Sequence, residues 1–96
     1  MALRFEWDEV KSRINRTRHG VSFEEARTVF VDESARLIAD PDHSEGEDRF
    51  VLVGFSLKLR LLVVCHCYRQ PDDAIRIISA RRADPSERRE YARWLK

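Results

Sequence analysis

The segment Ile75-Arg76-Ile77-Ile78-Ser79-Ala80-Arg81-Arg82 runs within two residues into Asp84-Pro85-Ser86-Glu87, and few folds accommodate that junction. The β-branched run predicts a strand packed on a half-buried pleated surface. Asp84, with Pro85 at the first helical position and Glu87 three residues on, is a helix N-terminus with a capping box. The helix it starts carries Arg88, Arg89, Tyr91, Arg93 and Trp94. A strand that ends in two arginines at the lip of a helix delivers positive charge to a sheet edge, and such an edge suits a phosphate.

The rest of the chain supplies partners for that strand. Residues 49–56 and 60–69 read as an antiparallel pair joined by Leu57-Lys58-Leu59, a turn without the usual glycine. Gln70-Pro71-Asp72-Asp73 is a second turn cluster, followed by the strand 74–80 and a helix over 85–95. At the other end Phe5-Glu6-Trp7 alternates like a short strand, and Asp8 stands at the cap of a helix over 8–19. Val10, Ile14 and Thr17 fall at helical spacing there, with Lys11, Arg13, Arg16 and Arg18 on the other faces. Gly20 supplies the left-handed stop. Ser22-Phe23-Glu24-Glu25 matches a capping box, Val21 and Ala26 form its hydrophobic staple, and a second short helix ends near Phe30. A short apolar strand over 35–39 precedes the acidic loop 40–48. The order β-α-α-β-β-β-β-α predicts an α+β domain: an antiparallel sheet of about four to five strands, two N-terminal helices and one C-terminal helix, packed mainly on one face.

Ninety-six residues, 43% hydrophobic and 36% charged, bound this to a single domain over 1–96. No apolar run approaches the roughly 18 to 20 residues of a membrane span, and the N-terminus lacks a signal-peptide core, so the expected location is cytoplasmic. The net charge of +1 conceals segregation: residues 1–20 carry five basic and three acidic side chains, 21–50 three and nine, and 51–96 ten and five. A basic C-terminal half binds a polyanion despite a near-neutral total, while the acidic middle meets a basic partner or shields the basic half.

His66 beside Tyr68 on a strand is the histidine best suited to proton transfer, since imidazole titrates near neutral pH. His43 lies in the acidic loop, and His19 belongs to a helix C-terminus. Cys65-His66-Cys67 invites a metal, but strand alternation sends His66 to the face opposite the cysteines and no second ligand pair follows, so neither a metal nor another cofactor is expected. Reduced, core-packed thiols are the reading for both cysteines. Among the arginines clustered in the last strand and helix, Arg81 is set apart: it leaves a buried strand at the sheet edge, beside Glu87 and Arg88. A guanidinium there offers bidentate hydrogen bonds to phosphate and stabilises charge in a phosphorane-like transition state.

Taken in order, Phe5-Glu6-Trp7-Asp8, His19-Gly20-Val21-Ser22-Phe23-Glu24-Glu25-Ala26, Asp40-Pro41-Asp42-His43-Ser44, Leu62-Val63-Val64-Cys65-His66, and Ile75-Arg76-Ile77-Ile78-Ser79-Ala80-Arg81 with Glu87-Arg88 resemble the BrnT family of bacterial type II toxins. The resemblance spans nearly the whole chain. It implies a RelE-like fold and RNA cleavage that arrests growth. It also implies a cognate antitoxin that neutralises the toxin and carries a ribbon-helix-helix DNA-binding domain, so that DNA is met only through the antitoxin. The family's strand-to-helix motif falls on Ser79-Ala80-Arg81 and Glu87-Arg88. The turn Leu57-Lys58-Leu59 departs from the family, where a glycine-containing turn is usual.

These readings combine into an expected metal-independent endoribonuclease. His66 or Glu87 takes the proton of the ribose 2′-hydroxyl, and Arg81 with Arg60 or Arg76 stabilises the phosphorane charge. Arg88, Tyr68 and Tyr91 bind unpaired RNA, the tyrosines by stacking on bases. The alternative is a non-catalytic interaction module that only holds an antitoxin-like partner. A basic antitoxin segment would find the acidic middle, including Glu45 and Glu47; an acidic one would cover the arginines.

Overall fold

The computed structural model describes residues 3–39, 49–69 and 73–95. The loop bearing His43, Glu45 and Glu47 and the turn 70–72 lie outside the described residues. Five strands form one sheet in the order β1-β5-β4-β3-β2. They are β1 (Arg4–Glu6), β2 (Arg36–Ala39), β3 (Arg49–Phe55), β4 (Leu61–Arg69) and β5 (Ala74–Arg82). Neighbours from β2 to β5 are antiparallel, whereas β1 joins the far side of β5 in parallel.

Alternation along β4 divides the interior into two layers. Leu62 and Val64 face a core with Leu52, Ile77, Ala80, Val21, Phe23, Ala26 and Val29, roofed by helices α1 (Glu9–His19) and α2 (Phe23–Arg27). Leu61 and Val63 face the opposite way, onto Val53, Ala83 and Tyr91, beneath helix α3 (Pro85–Trp94). The helices therefore cover both faces, which corrects the one-face arrangement expected from the sequence. A central strand apolar on both sides from Leu61 to Val64 needs cover on both sides.

Helix α1 also departs from its sequence pattern. Asp8 caps it as expected, accepting from the backbone N of Val10 at 2.8 Å and of Lys11 at 3.2 Å, and Gly20 ends it at φ 70°. An apolar stripe at helical spacing ordinarily faces a core. Here Val10 and Ile14 are 54% and 51% exposed, while Ser12 and Asn15 are buried. The cause lies at the edge of β5. Strand β1 is three residues long and stops opposite Arg76, so the backbone of Ala80 has no strand beyond it. Asn15 takes that place: its amide donates to the carbonyls of Ala80 and Val21, both at 2.8 Å, and accepts from the Ala80 N–H at 3.2 Å. Buried backbone groups require partners, and satisfying them turns the polar side of α1 inward.

Ser22 accepts from the Glu25 N–H at 3.0 Å, but Glu25 does not close the expected capping box. Its buried carboxylate accepts instead from Arg60 Nε at 2.9 Å and Ser56 Oγ at 2.7 Å. After α2 the chain tightens into one 3-10 turn, Thr28–Val31. The β3–β4 turn closes with Leu59 itself in the left-handed region, at φ 62°.

Candidate active site

The strand-to-helix junction builds its site from the helix cap outward. Asp84 accepts from the Glu87 N–H at 2.8 Å, and Glu87 Oε1 accepts from the Asp84 N–H at 2.8 Å. This reciprocal cap leaves the Glu87 carboxylate facing Arg81. Arg81 then donates from Nη1 to Oε1 at 2.8 Å and from Nη2 to Oε2 at 2.7 Å, a fork-on-fork pair. The Arg81 guanidinium holds the Glu87 carboxyl below the usual carboxylate range, and the same pairing raises Arg81. Both side chains are partly exposed, at 44% and 30%. Among the described residues Oε2 has Arg81 alone as its hydrogen-bond donor, whereas Oε1 is also tied to the helix cap.

An irregularity in β5 decides what else shares that face. Cys65 pairs with Ser79 but His66 pairs with Ile77, so Ile78 is an extra residue, a β-bulge. Arg76 and Arg81 are five positions apart, which in a regular strand places them on opposite faces. With the bulge, Arg76 sits opposite Cys67 and Arg81 opposite Val63, and those two β4 residues point the same way. Arg76 Nη1 donates to Glu6 Oε2 at 3.0 Å, and Arg69 Nε lies 3.9 Å from the same oxygen. Arg49 also pairs with Cys67, which sets it in one row with Arg76 across the sheet. Its Nε is shielded from solvent with no hydrogen-bond partner among the described residues. Sequence reasoning passed over Arg49, because only the β3–β4–β5 register aligns it with Arg76.

The other predicted site residues fall elsewhere. His66 is fully buried on the α2 face, its ring centroid 4.9 Å from that of Phe30 and 5.3 Å from that of Tyr68. Nδ1 lies 3.3 Å from the Val64 carbonyl and Nε2 3.3 Å from the Tyr68 hydroxyl. Burial pushes its pKa down, with the Val64 bond opposing, which favours the neutral ring. Tyr68 is 47% exposed and stands between His66 and solvent. Arg60 is engaged on the α1/α2 side: besides its pair with Glu25, it donates from Nη2 to the Gly20 carbonyl at 2.9 Å. It lines a cleft there with Arg16 and Lys58.

Arg88 is exposed on α3, but Tyr91 is 3% exposed. Its ring packs on Phe55 and Trp94, and its hydroxyl donates to Asp32 Oδ2 at 2.9 Å. Burial and then Asp32 push its pKa up to about 12. Tyr91 is thus a packing anchor of α3 with no ring face free for a base. The structure brings together Arg81 and Glu87 directly, with Arg76 on the same face. It separates them from the His66–Tyr68 pair and from Arg60. Among the described residues no three His, Cys, Asp or Glu side chains converge, and no helix is long and apolar enough to cross a membrane.

A family model described as the ribonuclease toxin, BrnT, of type II toxin-antitoxin system matches residues 7–87. The chain belongs to the BrnT family. It is the ribonuclease toxin of a type II toxin-antitoxin system, and an antitoxin is its partner. The match ends on Glu87, the carboxylate that clamps Arg81, and so contains Arg60, His66, Tyr68, Arg76 and Arg81 but not Arg88 or Tyr91. The fold is similar to the crystal structure of the Brucella abortus ribonuclease toxin BrnT, with a TM-score of 0.64 and 22% identity over 86% of this chain and 99% of that one. No curated protein sequence matches the chain. The α+β architecture with three helices and a five-stranded sheet is thus that of a BrnT toxin.

Proposed function

We propose that this BrnT-family toxin cleaves unpaired RNA as a metal-independent endoribonuclease at the face shared by Arg76 and Arg81. The observation that carries the reading is the Arg81–Glu87 fork beside a bulge that turns Arg76 to the same side. In the resting protein Arg81 is occupied by Glu87. A substrate phosphate competes for the same bidentate fork, and as it takes Arg81 it releases Glu87 Oε2, while Oε1 stays on the Asp84 N–H. The freed carboxylate returns toward its ordinary pKa and accepts the proton of the 2′-hydroxyl. The 2′-oxygen then bonds to phosphorus, and the bond from phosphorus to the 5′-oxygen breaks. That oxygen takes a proton from solvent. Arg81 and Arg76 stabilise the charge that builds on the phosphorane. Glu87 is thereby both the positioning group for Arg81 and the base.

His66 lies on the opposite face, and Tyr68 is its exposed neighbour; in this reading Tyr68 stacks on a flanking base and Arg88 contacts backbone phosphate. The toxin acts in the cytoplasm, and its antitoxin carries a ribbon-helix-helix domain through which alone the pair meets DNA. Incubation of purified protein with RNA in EDTA tests the reaction. Cleavage is expected to persist, to fall by about a hundredfold or more in Arg81→Ala, and to fall in Glu87→Gln with RNA binding retained. Absence of cutting in EDTA, or unchanged cutting in Arg81→Ala, defeats this mechanism.

A further inference from the structure

The inverted helix α1 leaves a surface that the ribonuclease reading does not use. Val10 and Ile14, one helical turn apart, form an apolar stripe on its outer side, each more than half exposed. Around the helix that stripe is flanked by Lys11 and Arg18 on one side and by Arg13 on the other, with Arg16 a further step round, toward the cleft it shares with Lys58 and Arg60. None of these four cations has an ion-pair partner among the described residues. Helix α1 carries one acidic residue, Glu9, against those four. Below Ile14 a cleft of about 210 Å³ opens against β5, lined by Lys11, Ile14, Arg18 and Ile78 among others. The bulge residue Ile78 therefore continues the apolar stripe from the helix onto the sheet, along the edge of β5 that β1 leaves uncovered.

We infer that the outer face of α1 is the docking surface for an acidic, amphipathic segment of the antitoxin. Its apolar side chains lie on Val10, Ile14 and Ile78, and its carboxylates lie against Lys11, Arg13 and Arg18. The chemistry selects a protein over RNA. A phosphate backbone is served by cations alone and gains nothing from aliphatic side chains at the centre of the patch, whereas an amphipathic acidic segment matches both the stripe and its rims. The charges steer association and the aliphatic centre holds the complex. The cleft opens on the stretch of β5 between Arg76 and Arg81, so a segment seated there borders the RNA face without replacing any of its arginines. This inference rests on the toxin-antitoxin reading and adds the place and chemistry of the contact.

The test compares the full-length toxin with Ile14→Glu and with Lys11→Glu/Arg18→Glu, titrated against the separately purified cognate antitoxin at low and high salt, with RNA cleavage followed in parallel. All three altered residues are exposed, and circular dichroism melting confirms that the variants fold. Each variant is expected to bind the antitoxin at least about tenfold more weakly, the charge reversal losing most at low salt, while cleaving free RNA at the wild-type rate. Unchanged antitoxin affinity overturns the inference and leaves the ribonuclease reading intact. Unchanged antitoxin affinity with impaired RNA binding makes α1 an RNA surface instead. A wild-type toxin that does not bind the antitoxin at all also overturns the docking inference, while the ribonuclease reading stands or falls on the cleavage assay in EDTA.

Discussion

Arg81 shows how little of a residue's role resides in the residue itself. Its charge is common to the many arginines of this chain, and what distinguishes it is a carboxylate fixed by a helix cap. Burial gives His66 the opposite fate. Its pKa lies below the ordinary 6.5, first through desolvation, and the unfolded chain therefore binds more protons in the interval below that value. Stability contributed by the neutral buried ring is complete above about 6.5 and is lost as pH falls toward the folded-state value. Urea midpoints measured downward from about pH 8 are expected to decline below about 6.5, and His66→Phe should flatten that part of the profile. A wild-type profile already flat there means the ring is solvated. Leu59 offers a test of backbone strain, since it occupies φ 62° where a glycine is the usual solution. Leu59→Gly is expected to stabilise the toxin by about 0.5 to 1 kcal/mol in equilibrium denaturation, the relief of strain exceeding the added unfolded-state entropy.

Among elements, α3 depends on a residue outside it. Asp32, after the 3-10 turn, accepts from the Phe55 N–H at 2.7 Å, the Ser34 N–H at 2.9 Å and the Tyr91 hydroxyl. Burial disfavours its charge, but those three hydrogen bonds outweigh burial and hold its pKa below the ordinary value. Asp32 thus ties the end of β3 to the helix that carries Glu87. Asp32→Ala strands the Tyr91 hydroxyl and two backbone donors, and is expected to cost about 1 to 3 kcal/mol by urea denaturation. If α3 is anchored this way, RNA cleavage also drops, because Glu87 and Arg81 lose their fixed separation. Most elements were legible beforehand: the Asp8 and Asp84 caps, the Gly20 stop and the order of strands all follow from local chemistry acting over a few residues. The orientation of α1 was not. Its pattern of Val10, Ile14 and Thr17 pointed inward, and the requirement that overrode it comes from Ala80, a residue 65 positions away from Asn15.

At the scale of the whole molecule, the near-neutral total charge of +1 resolves into surfaces with separate tasks. If Arg76, Arg81 and Arg88 each meet a phosphate, the logarithm of RNA affinity falls with the logarithm of salt at a slope near −2, about −0.7 for each contact on a single strand. Arg81→Ala is expected to flatten that slope by about one such increment, and the α1 charge reversals to leave it unchanged. A slope indifferent to Arg81 would place the phosphate elsewhere. The sequence by itself determined the α+β class, the strand and helix order, the strand-to-helix junction with Arg81 and Glu87, and the resemblance that named the chemistry. Each is written in contiguous residues or short spacings. Only the tertiary structure decided that α3 covers the second face, that His66 is buried while Arg60 is bound to Glu25, that Arg49 aligns with Arg76, and that Arg76 shares a face with Arg81. The shared face of Arg76 and Arg81 turns on one bulged residue, Ile78, and the inward polar side of α1 on where β1 stops, because side-chain facing and edge satisfaction are set by pairing between distant strands rather than by any local pattern.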